Sequence, residues 1–271
     1  MFAYCRHSNH NMQISILADN VAGGKFLAEH GLSYLVETDG QKILFDTGHS
    51  DVFLQNAKKM NIDIQQEVET VVLSHGHWDH GNGLKYLKDK TLIAHPGIFS
   101  KRYRKKDHSY LGIDLDNQEA EKNFRLQLSN SPVRITPKLW FLGEIPRANN
   151  FEAKSTTYVL ENGEEDFITD DSALVSIEKD ALIVISGCAH SGICNICEYA
   201  KKVTGISKIG TVIGGFHLND PGEQTQKTLA YFRENHVQHL FPSHCTELPA
   251  KSLFLQEFRF PEIKTGMSLK F

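Results

Sequence analysis

The sequence predicts an α/β protein with its chemistry gathered at strand ends. Short apolar runs rich in β-branched residues recur in pairs in both halves, and stretches with helical spacing of apolar positions lie between them. Several runs lead through small residues to a histidine. The opening dozen residues are polar, and His7 and His10 there are expected to belong to a frayed end rather than to a site. Residues 14–17 read as a first strand, followed by a loop through Ala18-Asp19-Asn20 and Gly23-Gly24. Residues 32–37 and 42–46 flank Thr38-Asp39-Gly40 as a hairpin, the Asp-Gly pair supplying the positive φ of a tight turn. Ser50 is placed to cap a helix carrying Phe53, Ala57 and Met60 at i, i+4 and i+7.

Thr70-Val71-Val72-Leu73 reads as a buried strand, and residues 92–94 as another, ending at His95-Pro96. His95 fits either a pocket contact or a structural role. Residues 97–155 change character, with the basic stretch Lys101-Arg102-Tyr103-Arg104-Lys105-Lys106 and only scattered apolar positions before residues 139–142. So long a segment between core strands is expected to form a cover over the site. Its basic run is either a solvated face or a seat for a phosphate or carboxylate, and Phe99, Tyr103, Tyr110 and Phe151 are available to stack on an aromatic ligand.

The second half begins at residues 156–160 and continues through strands at 173–177 and 181–185. The last runs into Ser186-Gly187-Cys188-Ala189-His190, ahead of an amphipathic helix carrying Ile193, Ile196, Cys197, Ala200 and Val203. His190 therefore sits in a polar mouth near a helix N-terminus, which favours a ligand role. Residues 209–213 lead to Gly214-Gly215-Phe216-His217, and residues 237–241 to Pro242-Ser243-His244, with a helix near Leu229 and Phe232 as the crossover of a parallel pair. Parallel strands bring such ends to one edge, where open α/β sheets hold their ligands. A helix near Leu253 and a strand at 268–271 close the chain.

The length of 271 residues and 40% hydrophobic content support a sizeable core, and a net charge of -4 gives no electrostatic reason to expect nucleic acid or a membrane surface as partner. A small molecule, anionic or aromatic, is the simpler expectation, and a homodimer stays open. No apolar run approaches the roughly 18 residues of a membrane span, and the first residues lack a signal-peptide core, so a cytoplasmic location is expected. The five cysteines argue against a disulfide framework, and Cys194-x-x-Cys197 lies within a helical pattern as buried small side chains.

Residues 74–81, Ser-His-Gly-His-Trp-Asp-His-Gly, carry the densest chemistry, with four potential ligands in six positions directly after a strand. His75 and His77, separated by a glycine, can point the same way, while Asp79 and His80 face a second point a few ångströms on. Neutral imidazoles and carboxylates suit zinc, manganese or iron.

This stretch resembles the signature of the metallo-β-lactamase superfamily. With Asp46-Thr47-Gly48, His190 and His244, the resemblance spans nearly the whole chain. It implies one domain over residues 1–271 with a four-layer αββα sandwich, two β-sheets flanked by helices, and two divalent ions. In the family the alternating histidines hold one metal and the aspartate and last histidine the other, which carries over to His75, His77, Asp79 and His80, with His190 and His244 completing the set. Asp46 corresponds to a carboxylate that orients the metal loop. The segments at 73–81, 186–190, 214–218 and 243–246 look like the branch of dihydropterin-ribofuranosylaminobenzene-phosphate synthase homologues. One departure stands out: Cys188 occupies the place of the family's bridging aspartate, so His190, His217, Cys188 or Asp171 completes the second metal's ligand set, or the site holds a single ion.

A metal held by imidazoles lowers the pKa of bound water from about 16 towards about 7 and so supplies hydroxide at neutral pH. Asp79 is expected to orient that water or accept its proton. His217, beside Gly214 and Gly215, is expected to bind or protonate a leaving-group oxygen. The expected function is a metal-dependent hydrolase of a small ester, phosphodiesters first. The alternatives are a dihydropterin synthase-like transferase releasing diphosphate, and a non-catalytic metal or ligand sensor.

Overall fold

A computed structural model describes residues 12–271. His7, His10 and Cys5 lie outside the described residues. Two sheets form the frame. One has seven strands in the spatial order Ser268–Lys270, Gln13–Ala18, Ser33–Thr38, Gln41–Phe45, Thr70–Val72, Lys90–Ala94 and Phe124–Leu128. The other has six, ordered His239–Pro242, Ile209–Gly214, Ala181–Ser186, Ala173–Glu178, Leu139–Phe141 and Val133–Arg134. The expected hairpin is present, with Asp39 and Gly40 at φ of 51° and 75° in its turn and Thr38 paired with Gln41.

Three apolar clusters define four layers. Between the sheets, Ile14, Tyr34, Phe45 and Val72 of the first meet Phe141, Leu174, Ile185 and Ile213 of the second. Outside the first sheet, Phe53 and Ala57 of helix Val52–Lys59 pack with Leu44, Val71 and Leu92. Outside the second, helices Ile193–Thr204, Glu223–Glu234 and Leu248–Phe254 bury Ile196, Phe232 and Phe254 against Val184 and Val212. The central strands are covered on both faces, which is why their runs are continuously apolar rather than alternating. Cys194 and Cys197 are buried in the outer layer, as their helical spacing predicts.

The parallel strands place the site. Gln41–Phe45, Thr70–Val72, Lys90–Ala94 and Phe124–Leu128 run parallel, as do Ala181–Ser186, Ile209–Gly214 and His239–Pro242. Their C-terminal ends open onto one edge of the sandwich.

Four expectations change. Residues 97–155 are only in part a cover: Phe124–Leu128 and Leu139–Phe141 are strands of the two main sheets, while Arg102–Arg104 pairs with Tyr158–Leu160 in a separate ribbon beside the site. The run at 156–160 is thus outside the second sheet, which instead begins at Val133. Asp51 holds the N-cap position of the helix after Asp46 without a side-chain cap bond, while Ser50 one residue earlier accepts the Val52 N–H at 3.3 Å and donates its hydroxyl to Glu29 at 2.5 Å. The basic run is largely neutralised in place. Arg102 is buried against Asp166 and Asp170 at 3.2 and 2.8 Å, and Lys101, Arg104 and Lys105 pair with Glu161, Asp107 and Glu165.

Helix Ile193–Thr204 begins just past the His190 loop, and its cap comes from a distant residue. The buried Glu152 carboxylate accepts from the backbone N–H of Cys194 and Asn195, both at 2.9 Å, and from Asn149 at 2.6 Å. A carboxylate at that end satisfies orphan donors and opposes the helix dipole favourably. Glu152→Ala is expected to lower stability by about 1–3 kcal/mol through those unsatisfied donors, read from urea unfolding; an unchanged midpoint rejects the cap.

Candidate metal centre

Asp46 ends its strand at φ 57° with a fully buried carboxylate. Its Oδ1 accepts from the Ser74 N–H and its Oδ2 from the Ser74 hydroxyl, each at 2.7 Å, and Oδ2 lies 2.7 Å from His80 Nδ1. Gly187 is required here, because a Cβ at that position would meet Ser74 Oγ and Asp46 Oδ2. Asp170 anchors the loop from the other side, its Oδ2 accepting the Gly76 N–H at 2.7 Å while its carboxylate pairs with Arg102. A Cβ on Gly76 would strike the Ile98 carbonyl. The metal loop is therefore clamped between two carboxylates.

These contacts fix tautomers. His80 directs Nδ1–H at Asp46 and so turns Nε2 to the cleft, where an arriving divalent ion would displace the proton that the neighbouring carboxylates favour there. Ser74 spends its hydroxyl proton on Asp46 and accepts from His75 Nδ1 at 2.9 Å, which leaves His75 Nε2 facing inward. His244 is set the same way, with Nδ1 3.0 Å from the Asn20 side-chain Oδ1 and Nε2 3.1 Å from His80 Nε2.

Donors converge on neighbouring points. His75, His77 and His190 bring one ring nitrogen each within 4.8 Å of the others, with His75 Nε2 and His77 Nδ1 at 3.0 Å. Burial holds all three well below the ordinary histidine pKa, reinforced by neighbouring imidazoles around His75 and His190 and by the Arg102 guanidinium near His77. They are neutral electron-pair donors facing one another, and the buried Nε2 of His190 has no hydrogen-bond partner. That is the chemistry of a cation seat. At the second point Asp79 Oδ2 lies 3.3 Å from His244 Nε2, 3.8 Å from His80 Nε2 and 3.2 Å from His30 Nε2. Burial opposes ionisation of Asp79, yet His80, His244 and His30 keep it well below the usual carboxylate range. Burial likewise opposes a charge on His80, and the Asp79 and Asp46 carboxylates overcome it to carry His80 up to about 9. These residues fit divalent ions at both points.

The predicted residues are not all gathered. His75, His77, Asp79, His80, His190, His244, His217 and Cys188 meet in the cleft. His95 does not: its Nδ1 accepts the Gly97 N–H at 3.0 Å and caps a short turn, and Nε2 is 3.6 Å from Glu144. Asp171 is behind the site, its Oδ2 accepting from Ser191 N at 2.9 Å and from the Ser191 hydroxyl at 2.5 Å, so it holds the His190 turn rather than an ion. Its burial pushes it up to about 6 against those bonds. Residues the sequence reading passed over are Asn20, His30, Asp170, Cys245 and Tyr158. The ring of Tyr158 stands 5.1 Å from His77 and 5.6 Å from His190 and separates two lobes of about 210 and 270 Å³ that share Thr157, His190, His217 and Asn219. The smaller lobe includes Arg104 and Trp78, the larger Phe151 and Lys154.

The model of the metallo-beta-lactamase superfamily matches residues 28–201. The chain belongs to the metallo-β-lactamase superfamily. It is 34% identical, over 96% of this chain and 97% of the other, to the 7,8-dihydropterin-6-methyl-4-(beta-D-ribofuranosyl)-aminobenzene-5'-phosphate synthase of Methanocaldococcus jannaschii. An uncharacterized protein of the same organism is 33% identical over 88% of this chain and 91% of its own length. The crystal structure of Tm1679, a metal-dependent hydrolase of the superfamily, superposes with a TM-score of 0.84 at 32% identity, covering 96% of this chain and 99% of that one. The four-layer sandwich is thus the superfamily fold, and the His-rich cleft lies where its strand ends meet. Among the described residues no helix is long and apolar enough to cross a membrane.

Two outcomes test the supporting carboxylates. Asp46→Asn should weaken metal binding about 10- to 100-fold, as loss of a ligand-orienting partner does, in a chelator competition titration; unchanged affinity removes that role from Asp46. Asp171 is shifted upward from 3.8, so the folded state binds its proton more tightly than the unfolded chain and stability declines as pH rises from about 4 through about 6. Asp171→Asn should accordingly gain on the parent protein across that window in paired denaturation curves, and parallel curves would contradict the shift.

Proposed function

We propose that this chain is a metal-dependent hydrolase of a small-molecule ester, with phosphodiesters ahead of lactones and thioesters. The observation that carries the reading is the convergence of His75, His77 and His190 on one point and of Asp79, His80 and His244 on the next, with His75, His80 and His244 oriented by Ser74, Asp46 and Asn20. Divalent ions in those seats supply Lewis-acid polarisation and a water acidified towards neutral pH. The side chains do the positioning. Asp79, kept anionic among three imidazoles, is a hydrogen-bond acceptor for the attacking water. His217 lines both lobes and offers a ring N–H to the leaving-group oxygen. Tyr158 covers the imidazoles and limits access of bulk water.

The phosphate preference stands on less than the basic run suggested. With Lys101, Arg102 and Lys105 paired to carboxylates and Lys106 outside the cleft lining, Arg104 at the cleft wall is the residue of that run placed to meet a phosphoryl oxygen, its Asp107 contact being a half-exposed 3.4 Å. The similarity to the dihydropterin synthase over nearly the whole chain favours a second reading. There divalent ions held by the same ligands would activate a diphosphate leaving group, and an aromatic amine would take the place of water.

A panel of phosphodiester, lactone and thioester substrates on metal-loaded protein, beside an assay of diphosphate release from a dihydropterin diphosphate with an aminobenzene ribotide, separates them. Ester turnover supports the hydrolase. Diphosphate release that requires the aromatic acceptor, without ester turnover, overturns it in favour of the transferase. Silence in every assay rejects both and leaves the sensor. In whichever reaction is found, His77→Ala should cost at least about 100-fold in kcat/KM together with bound metal, while the circular dichroism spectrum is retained; full turnover would reject the site.

A further inference from the structure

Cys188, His217 and Cys245 follow the three parallel strands of the six-stranded sheet, and one donor atom from each lies within 4.8 Å of the other two. We propose that they form a sulfur-rich cation seat adjoining the second histidine point, with Cys188 Sγ only 3.2 Å from His80 Nε2, taking a thiophilic divalent ion of the zinc class on two thiolates and one imidazole. This goes beyond the hydrolase reading, which uses neither sulfur.

The donor set is the first argument. Two cysteines and a histidine with an open fourth position are a known zinc complement, and thiolates discriminate against magnesium and manganese. Mutual partnering is the second. Cys245 Sγ faces the Cys188 carbonyl at 3.5 Å together with the Cys188 sulfur and His217, and Cys188 Sγ has His80 Nε2 at 3.2 Å, so these sulfurs bond chiefly to one another and to imidazoles. His217 contributes the third, since its buried Nδ1 has no hydrogen-bond partner beside the two sulfurs. Close approach is the fourth: a Cβ on Gly215 would stand 2.5 Å from Cys245 Sγ and from the Gly187 carbonyl oxygen, so the glycine is what allows Cys245 to close on Cys188. Binding is a proton exchange without redox: each S–H releases its proton to solvent and each sulfur lone pair makes a metal bond, two negative charges meeting one divalent ion. His217 spends one ring nitrogen on the ion and keeps the other to donate to a substrate oxygen.

The test loads metal-stripped full-length protein with cobalt(II) in the presence of a thiol reductant and reads the near-ultraviolet thiolate-to-cobalt charge-transfer band together with bound equivalents. The parent protein should show the band. Cys245→Ser should lose at least half of it and bind one equivalent fewer, whereas His77→Ala should keep the band while losing a histidine-bound equivalent, so this seat and the hydrolase reading fail separately. If Cys245→Ser does not fold, His217→Gln, which leaves both sulfurs, should weaken that equivalent by at least about 10-fold. A saturated parent protein without the band overturns the proposal, as does a band unchanged in Cys245→Ser, or a disulfide between Cys188 and Cys245 that persists in reductant.

Discussion

Asp46 accepts from Ser74 N, Ser74 Oγ and His80 Nδ1 in a place closed to solvent, each contact at 2.7 Å. A buried carboxylate is costly unless its oxygens are filled, and these three donors fill them. Through Ser74 the same charge sets the ring of His75, and directly it sets His80, so one anion orients a donor in each cation seat. Its left-handed backbone at φ 57° turns the chain out of the strand at the point where the carboxylate must face the next strand's end. The sheet supplies that neighbour, because Phe45 is in register with Val72.

The sandwich then completes what one sheet begins. The first sheet brings Asp46, His75, His77, Asp79 and His80; the second brings Cys188, His190, His217, His244 and Cys245. The interlayer core of Phe45, Val72, Phe141, Ile185 and Ile213 holds the two edges in register. Asp170, bridging Gly76 and Arg102, ties the metal loop to the ribbon that forms the cleft wall. A donor set assembled from both sheets needs no covalent staple, only matched strand lengths and a packed interior.

Much of this was legible from residues alone. The H-x-H-x-D-H spacing after an apolar run, the Asp-Gly turn, and the repeated passage from strand to small residues to histidine each reflect local physics, and the structure places each as expected. What escaped had partners far along the chain. Asn20 acquires its role from His244, 224 positions away, and Lys101 and Lys105 are neutralised by glutamates 60 positions on, which no local pattern encodes. Phe124, Leu126 and Leu128 do alternate with polar residues, and that period of two was the available sign of a strand inside the presumed cover. His95 and Asp171 carried the right chemistry at strand or loop ends but were spent on local backbone, His95 on Gly97 and Asp171 on Ser191. Tyr158 was read as a strand residue of the second half; its place over the imidazoles follows from pairing with Arg102–Arg104, a contact of two segments whose separation hid it.

The pairing of His80 with His244 spans 164 residues and joins the two layers of the sandwich. Neither half of the chain supplies the whole second seat by itself, so the complete donor set exists only once the layers have docked. Occupancy then adds RT ln(1 + [L]/Kd) to the stability of the assembled molecule. Cation supply is in this way felt by the polypeptide as a whole, and starvation for the ion would register as a lower melting temperature throughout rather than as a loosened loop.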